Sequence, residues 1–302
     1  MAPSPVIFDR DLLRARRRRA AALGPSTFLL DRVAEDLADR LATVLRSFAC
    51  AVDLGSPGEA VRRVLVESWK IDTVIAADAL PAGGVTRTRL GLAVAADPEA
   101  LPFRDGALDL VVSALALHFV NDLPGTLVQI RRALRPDGLF MAALLGGDTL
   151  TELRQAFAAA EAELDDGISP RVAPFADLRE LGLLLQRARF ALPVTDVDRV
   201  TVRYASPLAL MHDLRRMGAA NPLIDRRRQP LRRATLERMT EIYASRFADA
   251  DRRIRATFEI VWLSGWAPHE SQQQPLAPGS AQTRLADALG TSERPAGEKA
   301  GR

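Results

Sequence analysis

Cysteine, histidine and lysine are nearly missing from this chain. One cysteine, Cys50, stands among 302 residues, so no internal disulfide can form. Three histidines are too few for a Cys/His cluster of the kind that holds a structural metal. No apolar run approaches the roughly 18 residues that a membrane-spanning helix needs. Nor does an apolar core follow the basic segment Arg14 to Arg19, as it would in a secretory signal. The expected compartment is therefore the cytosol, with no transmembrane segment. An excess of one charge is missing too. The formal net charge is only +3, a weak attraction for nucleic acid. Aromatic and basic residues do not interleave in the way that stacks on bases. Nucleic acid is not an expected partner.

What is present is the balance of an ordinary globular protein, 48% hydrophobic and 26% charged. Arginine supplies almost all the positive charge. It clusters at Arg16 to Arg19, and again at Arg226 to Arg228 with Arg232 and Arg233. Such clusters are either solvated helix faces or a docking surface for an acidic protein.

Residues 1–48 have a helical rhythm. Leu30, Val33, Leu37, Leu41, Val44 and Phe48 recur every three or four positions, which puts them on one face. Gly24-Pro25 separates this helix from one spanning Phe8 to Ala22, and Ser26 is its candidate cap. From Cys50 the rhythm changes. Short apolar strands at Cys50–Gly55, Asp72–Ala77, Leu90–Ala96, Leu108–Leu117 and Leu139–Leu145 alternate with helices at Val61–Trp69 and Leu123–Leu134. That alternation predicts parallel βαβ units, with strands covered on both faces. Thr149 and Glu152 have capping-box spacing at the start of a further helix. Later come helices at Ala176–Ala188, 207–218 and 232–248, and strands at Val197–Tyr204 and Thr257–Leu263. The tail from Ala267 is rich in Pro, Gln, Gly and Ser and reads as disordered.

Asp53, Asp78 and Asp97 end the first three strands. Ligands bind at the carboxyl ends of parallel strands. A carboxylate there can accept from a ribose diol, an adenine amino group or, through water, an ammonium. The alternative is that these residues cap the helices that follow. His118, just after the fourth strand beside Asn121 and Asp122, is a candidate base or acceptor-orienting group; the plainer alternative is a histidine bonded across the sheet edge.

Val52-Asp53-Leu54-Gly55, Asp78, Asp97 with Leu101-Pro102-Phe103, and Leu134 to Phe140 resemble the successive motifs of class I S-adenosylmethionine (SAM) methyltransferases. Phe8-Asp9-Arg10, Leu115 to Pro124, Gly146 to Arg154, Ser169 to Phe175 and His269 to Gln273 are similar to a narrower branch. That branch holds the mitochondrial complex I assembly factor 5 and its α-proteobacterial relatives, and is itself similar to malonyl-acyl-carrier-protein O-methyltransferase. The resemblance implies an α/β, Rossmann-like, seven-stranded and mostly parallel sheet with helices on both faces. It implies SAM as cofactor, held by Asp53, Leu54, Gly55, Ser56, Asp78, Asp97 and Ala114, with no metal. It also implies a protein client, either a complex I subunit or an acyl carrier protein. The activity expected is methyl transfer; arginine hydroxylation or catalytically silent chaperoning are the alternatives the branch carries. A helical cap over 1–48, a methyltransferase-like domain over 49–266 with helical insertions at about 148–190 and 206–250, and the tail over 267–302 complete the expected organisation.

One loop departs from the pattern. The family's first loop reads Asp-x-Gly-x-Gly-x-Gly, and here it is Asp53-Leu54-Gly55-Ser56-Pro57-Gly58-Glu59. Pro57 removes a backbone N–H. Glu59 brings negative charge to a helix N-terminus, where an anionic ligand would be favoured. A shifted turn at Gly58 is the expected compensation.

Overall fold

The computed structural model describes residues 6–79, 85–165, 167–273, 280 and 283–292. Two units divide the chain, Met1–Pro268 and His269–Arg302. In the second, Leu285–Ala288 forms one short helix; half of the tail expected to be disordered lies outside the described residues.

The first unit is built on one sheet. Its strands are β1 (Phe48–Leu54), β2 (Ile71–Asp78), β3 (Val85–Thr88), β4 (Gly91–Ala95), β5 (Leu108–Ala114), β6 (Leu134–Leu145), β7 (Ala191–Tyr204) and β8 (Ile254–Trp266). Their spatial order is β3-β4-β2-β1-β5-β6-β8-β7. Neighbours from β4 to β6 are parallel, and β8 runs antiparallel between β6 and β7. The seven strands predicted from the sequence are present, and β3 adds a short antiparallel eighth beside β4.

Period-two burial explains why the strands are apolar throughout. Leu110, Val112, Ala114, Leu139, Met141 and Ala143 belong to the core on one face. Val111, Phe140, Ala142 and Leu144 belong to the core on the other, as alternation requires when both faces are covered. Helices α2 (Phe28–Thr43), α3 (Ala60–Glu67), α5 (Thr151–Leu164), α7 (Pro207–Arg216) and α8 (Arg233–Phe247) contribute to the first core; α4 (Leu123–Ala133) and α6 (Leu178–Arg187) cover the second.

Several local expectations are corrected. The stripe on α2 is buried as read, but the helix ends at Thr43, and Phe48 opens β1. The stop is imposed from a distance. Lys70 Nζ donates to the carbonyls of Leu41, Ala42 and Val44 at 2.9, 2.9 and 2.6 Å. A cation there satisfies orphan carbonyls and suits the negative end of the helix dipole. Ser26 is not the cap; Thr27 holds that position and its hydroxyl bonds Asp31. Thr149 and Glu152 form no capping box. Leu150 takes the cap position with φ +55°, while Glu152 accepts from the N–H and hydroxyl of Thr257. Those contacts anchor α5 to β8 instead. The strand expected from Leu139 starts at Leu134 instead, and Pro136-Asp137-Gly138 bulges within it, since Leu108 pairs with Leu134 and Leu110 with Leu139. A Cβ at Gly138 would lie 2.9 Å from the Arg135 carbonyl, so only glycine fits this bend. β7 starts six residues earlier than the alternating stretch from Val197.

Periodicity does not account for the loop from Ser169 to Phe175, but a buried carboxylate does. Glu161 on α5 is fully buried and accepts from Ser169 N, Ser169 Oγ and Arg171 Nε at 2.7 Å each. The ion pair with Arg171 satisfies its charge. This staple holds Val172, Ala173 and Phe175 as a wall of the site described next.

Candidate functional site

The carboxyl ends of β1 and β2 open into a trough of about 330 Å³ lined by Asp53, Gly55, Ser56, Arg62 and Asp78. Asp53 is 2% exposed, with Arg62 Nε 3.5 Å from one oxygen and no hydrogen-bond partner for the other. Burial pushes its carboxyl up to about 7, against the pull of Ser56 and Arg62. Asp78 is half-buried, and none of the described residues donates a hydrogen bond to its carboxylate. Asp53 caps no helix, because α3 starts after Glu59.

The first loop turns twice through the left-handed region, at Gly55 (φ +70°) and Gly58 (φ +74°). Both positions favour glycine. The second turn falls at Gly58, directly after Pro57. Glu59 is exposed, so water screens much of the charge that the sequence alone placed against an anion. Ser56 Oγ accepts from Ala114 N at 2.9 Å, and Ser113 Oγ donates to the Leu54 carbonyl at 2.7 Å. Leu54 and Ala114 thus brace the loop from behind; their side chains are buried and line neither the trough nor the cavity below.

Asp97 is engaged otherwise than its strand-end position suggests. Helix α1 (Arg10–Ala22) lays Arg10 across it, with Nη2 and Nη1 at 2.7 and 3.0 Å from the two carboxylate oxygens. Arg10 also reaches Glu99 at 3.3 Å. This fork, with Arg14 further off, holds the Asp97 carboxyl low although partial burial opposes it. Asn121 completes the clasp: its Oδ1 accepts from Ile7 N and Phe8 N at 2.8 and 2.7 Å. The motifs around Phe8, Asp97 and Asn121 therefore form one contact that fixes α1 beside the trough.

Next to the trough lies an apolar cavity of about 160 Å³, walled in part by Leu30, Pro57, Leu150, Phe175 and Phe258. Gly58 borders both spaces. His118 is set into this wall on a single 3₁₀ turn, Leu117–Phe119, edge-on to Phe175. Burial, with Arg17 nearby, pushes its imidazole down to about 3, so it is neutral at pH 7. Its Nδ1 accepts a long bond of 3.4 Å from Leu145 N. That leaves the proton on Nε2, making His118 a donor rather than a base. Arg17 lines the cavity as well as a small pocket beside Asp78. Sequence reasoning gave Arg10 only as part of a motif and Arg17 only as part of a cluster, since four adjacent arginines look alike until the helix phase against the sheet is known. His212 is exposed on α7. Among the described residues no group of His, Cys, Asp and Glu has the arrangement of a metal site.

A family model described as a methyltransferase domain matches residues 52–142. The arginine-hydroxylase NDUFAF5, mitochondrial, of Danio rerio is 37% identical over 288 residues, covering 93% of this chain and 89% of that protein. The chain belongs to the class I methyltransferase superfamily, in the NDUFAF5 branch. This is a family of enzymes. Another relative, malonyl-acyl-carrier-protein O-methyltransferase of Laribacter hongkongensis, is 35% identical over 286 residues, covering 90% of this chain and 94% of that one. The YcgJ protein of Bacillus subtilis shares the methyltransferase fold, with a TM-score of 0.52 at 12% identity over 79% of this chain and 99% of that one. Among the described residues no helix is long and apolar enough to cross a membrane.

Proposed function

We propose that this chain binds SAM across the ends of β1 and β2 and modifies a group that another protein presents at the apolar cavity. The observation that carries this reading is the adjacency of the two spaces at Gly58: a trough with a buried, half-satisfied carboxylate and one that no described residue engages, opening beside an apolar cavity. The donor set suits the cofactor. Asp78 is placed to accept from a ribose diol, and the free oxygen of Asp53 to accept from an ammonium through water. Gly55 and Ser56 shape the turn between them, with Leu54 and Ala114 bracing it; Asp97 contributes through an oxygen it shares with Arg10. The cofactor supplies an electrophilic methyl group on a sulfonium, a reaction that depends mainly on alignment. The apolar wall excludes water, and His118 Nε2–H orients an acceptor oxygen. An acceptor that is already anionic needs no base, which matches a neutral, donor-only histidine.

The near full-length similarity to NDUFAF5 supports a second reading, hydroxylation of an arginine in a complex I subunit. That chemistry requires an oxidant in addition to the residues described. Catalytically silent chaperoning of the same client is a third. The exposed Arg18, Arg19 and Arg228 support an acidic client surface. Most of the second arginine cluster does not, because Arg226, Arg227, Arg232 and Arg233 are paired with Asp9, Asp165 and Glu237. On this reading residues 1–48 act as a cap, residues 49–266 as the catalytic domain and residues 267–302 as a tail. Composition and the single cysteine support the cytosol, while the NDUFAF5 relatives are named mitochondrial.

The test is incubation of the purified protein with SAM carrying an isotopically labelled methyl group and with candidate clients, acyl-carrier-bound acids and complex I subunits, followed by mass spectrometry. Label on the client supports methyl transfer. An unlabelled gain of one oxygen on an arginine supports the second reading instead. No change in a client that still binds leaves chaperoning.

A further inference from the structure

Helix α1 carries a run of arginines, and their surroundings separate them. Arg10 is committed to Asp97 and Glu99. Arg14 bonds Asp11. Arg16 donates to the carbonyls of Ala220 and Asn221. Arg18 and Arg19 are exposed to water. Arg17 is different: it is half-buried, and among the described residues its guanidinium has no hydrogen bond or ion pair. Its helix is held tightly at this point, since a Cβ on Gly218 would lie 3.2 Å from the Arg17 Cα. Arg17 borders both the pocket that contains Gly55 and Asp78 and the apolar cavity that contains Pro57, Gly58 and His118.

A guanidinium withdrawn from water without an anion is costly to keep. Burial pulls its proton affinity down, and the charge of Asp78 only partly restores it. The loop below is short of what an anion needs. Pro57 has no N–H to give, and the Gly55 N–H is already donated to the Ala77 carbonyl. A nucleoside whose ribose is held by Asp78 and whose side arm runs toward His118 must pass Arg17.

We propose that Arg17 is the anion-binding residue of the cofactor site, receiving the α-carboxylate of an amino-acid-bearing adenosine and replacing the contacts that the altered first loop cannot supply. The assignment rests on the SAM-binding reading above. It predicts a division of labour: Asp78 binds the nucleoside half and Arg17 the amino-acid half.

Two ligands separate the halves. S-adenosylhomocysteine has the carboxylate, and 5′-methylthioadenosine has the same nucleoside and sulfur without it. Calorimetric titration of the full-length protein should show wild type preferring S-adenosylhomocysteine. In Arg17→Met that preference should shrink by about tenfold or more, as loss of a charged hydrogen bond implies, with 5′-methylthioadenosine affinity changed less than about twofold. Arg17→Lys should restore part of the preference, because a point charge survives without the fork. Equal loss of both ligands in Arg17→Met, or loss of neither, overturns the assignment to Arg17 while leaving SAM binding in place. Failure of both ligands to bind wild type overturns the assignment together with the reading it rests on. An unfolding midpoint for Arg17→Met no lower than that of wild type confirms that the comparison is made on folded protein.

Discussion

At the end of β2 the Asp78 carboxylate borders the trough without a hydrogen bond from any described residue. On the proposed reading it accepts two hydroxyls from a ribose. Asp78→Ala should weaken S-adenosylhomocysteine binding by about 2 kcal/mol, read by titration calorimetry, with little change in unfolding temperature. Unchanged affinity would remove Asp78 from the site. His118 gives a pH signature of its own. Its folded pKa is depressed from 6.5 to about 3, so the unfolded chain binds the extra proton first. Stability is therefore lost as pH falls from about 6.5 toward 3, at no more than about 1.4 kcal/mol per pH unit. Asp53, raised to about 7, contributes the opposite slope, losing stability as pH rises from about 4 to 7. His118→Asn leaves the Asp53 contribution alone, so denaturant titrations at pH 7 and pH 4.5 should show the variant less acid-sensitive than wild type. Equal sensitivity would place the His118 ring in water rather than in the wall. The three aspartates were legible in the sequence because strand ends mark themselves. The capture of Asp97 by Arg10, 87 residues away, was not, and neither was the isolation of Arg17 within a run of identical neighbours.

At the scale of elements, non-local contacts decide where helices stop. The α2 stripe was readable, but Val44 and Phe48 continue its phase, so periodicity alone overruns the helix. Lys70 ends it by binding three carbonyls from the far side of β1. Lys70→Met should cost about 2 kcal/mol of stability, because removal of the cation strands buried acceptors. A loss below about 0.5 kcal/mol in denaturant unfolding would mean that water replaces the lysine. Glu161 works in a similar way on the loop from Ser169 to Phe175. Its sequence context is an ordinary helix face, and only its complete burial shows that it builds the cavity wall. The parallel strands were the clearest elements, since apolar runs bounded by turns have few other uses in a chain of this composition. β3 was missed because four residues with no apolar run carry too little signal.

For the whole molecule, the sheet order and the motif spacing agree, so the superfamily was legible in the sequence. The client was not, because a cavity shape and a charged face specify a chemistry and not a protein. If an acidic client docks on α1, its capture should weaken with salt, since exposed charges are screened over about 8 Å at physiological ionic strength. Arg18→Ser with Arg19→Ser should reduce capture at low salt and change little at high salt. Identical recovery by both proteins at both salt levels would show a merely solvated face. The central claim is that a loop carrying Pro57 and Glu59 still belongs to a working cofactor site. Calorimetric titration of the purified full-length protein with S-adenosylhomocysteine tests it most directly. One-to-one saturable binding in the micromolar range, about 8 kcal/mol, is the predicted result. No saturable heat up to millimolar ligand, from protein that unfolds cooperatively, would contradict it.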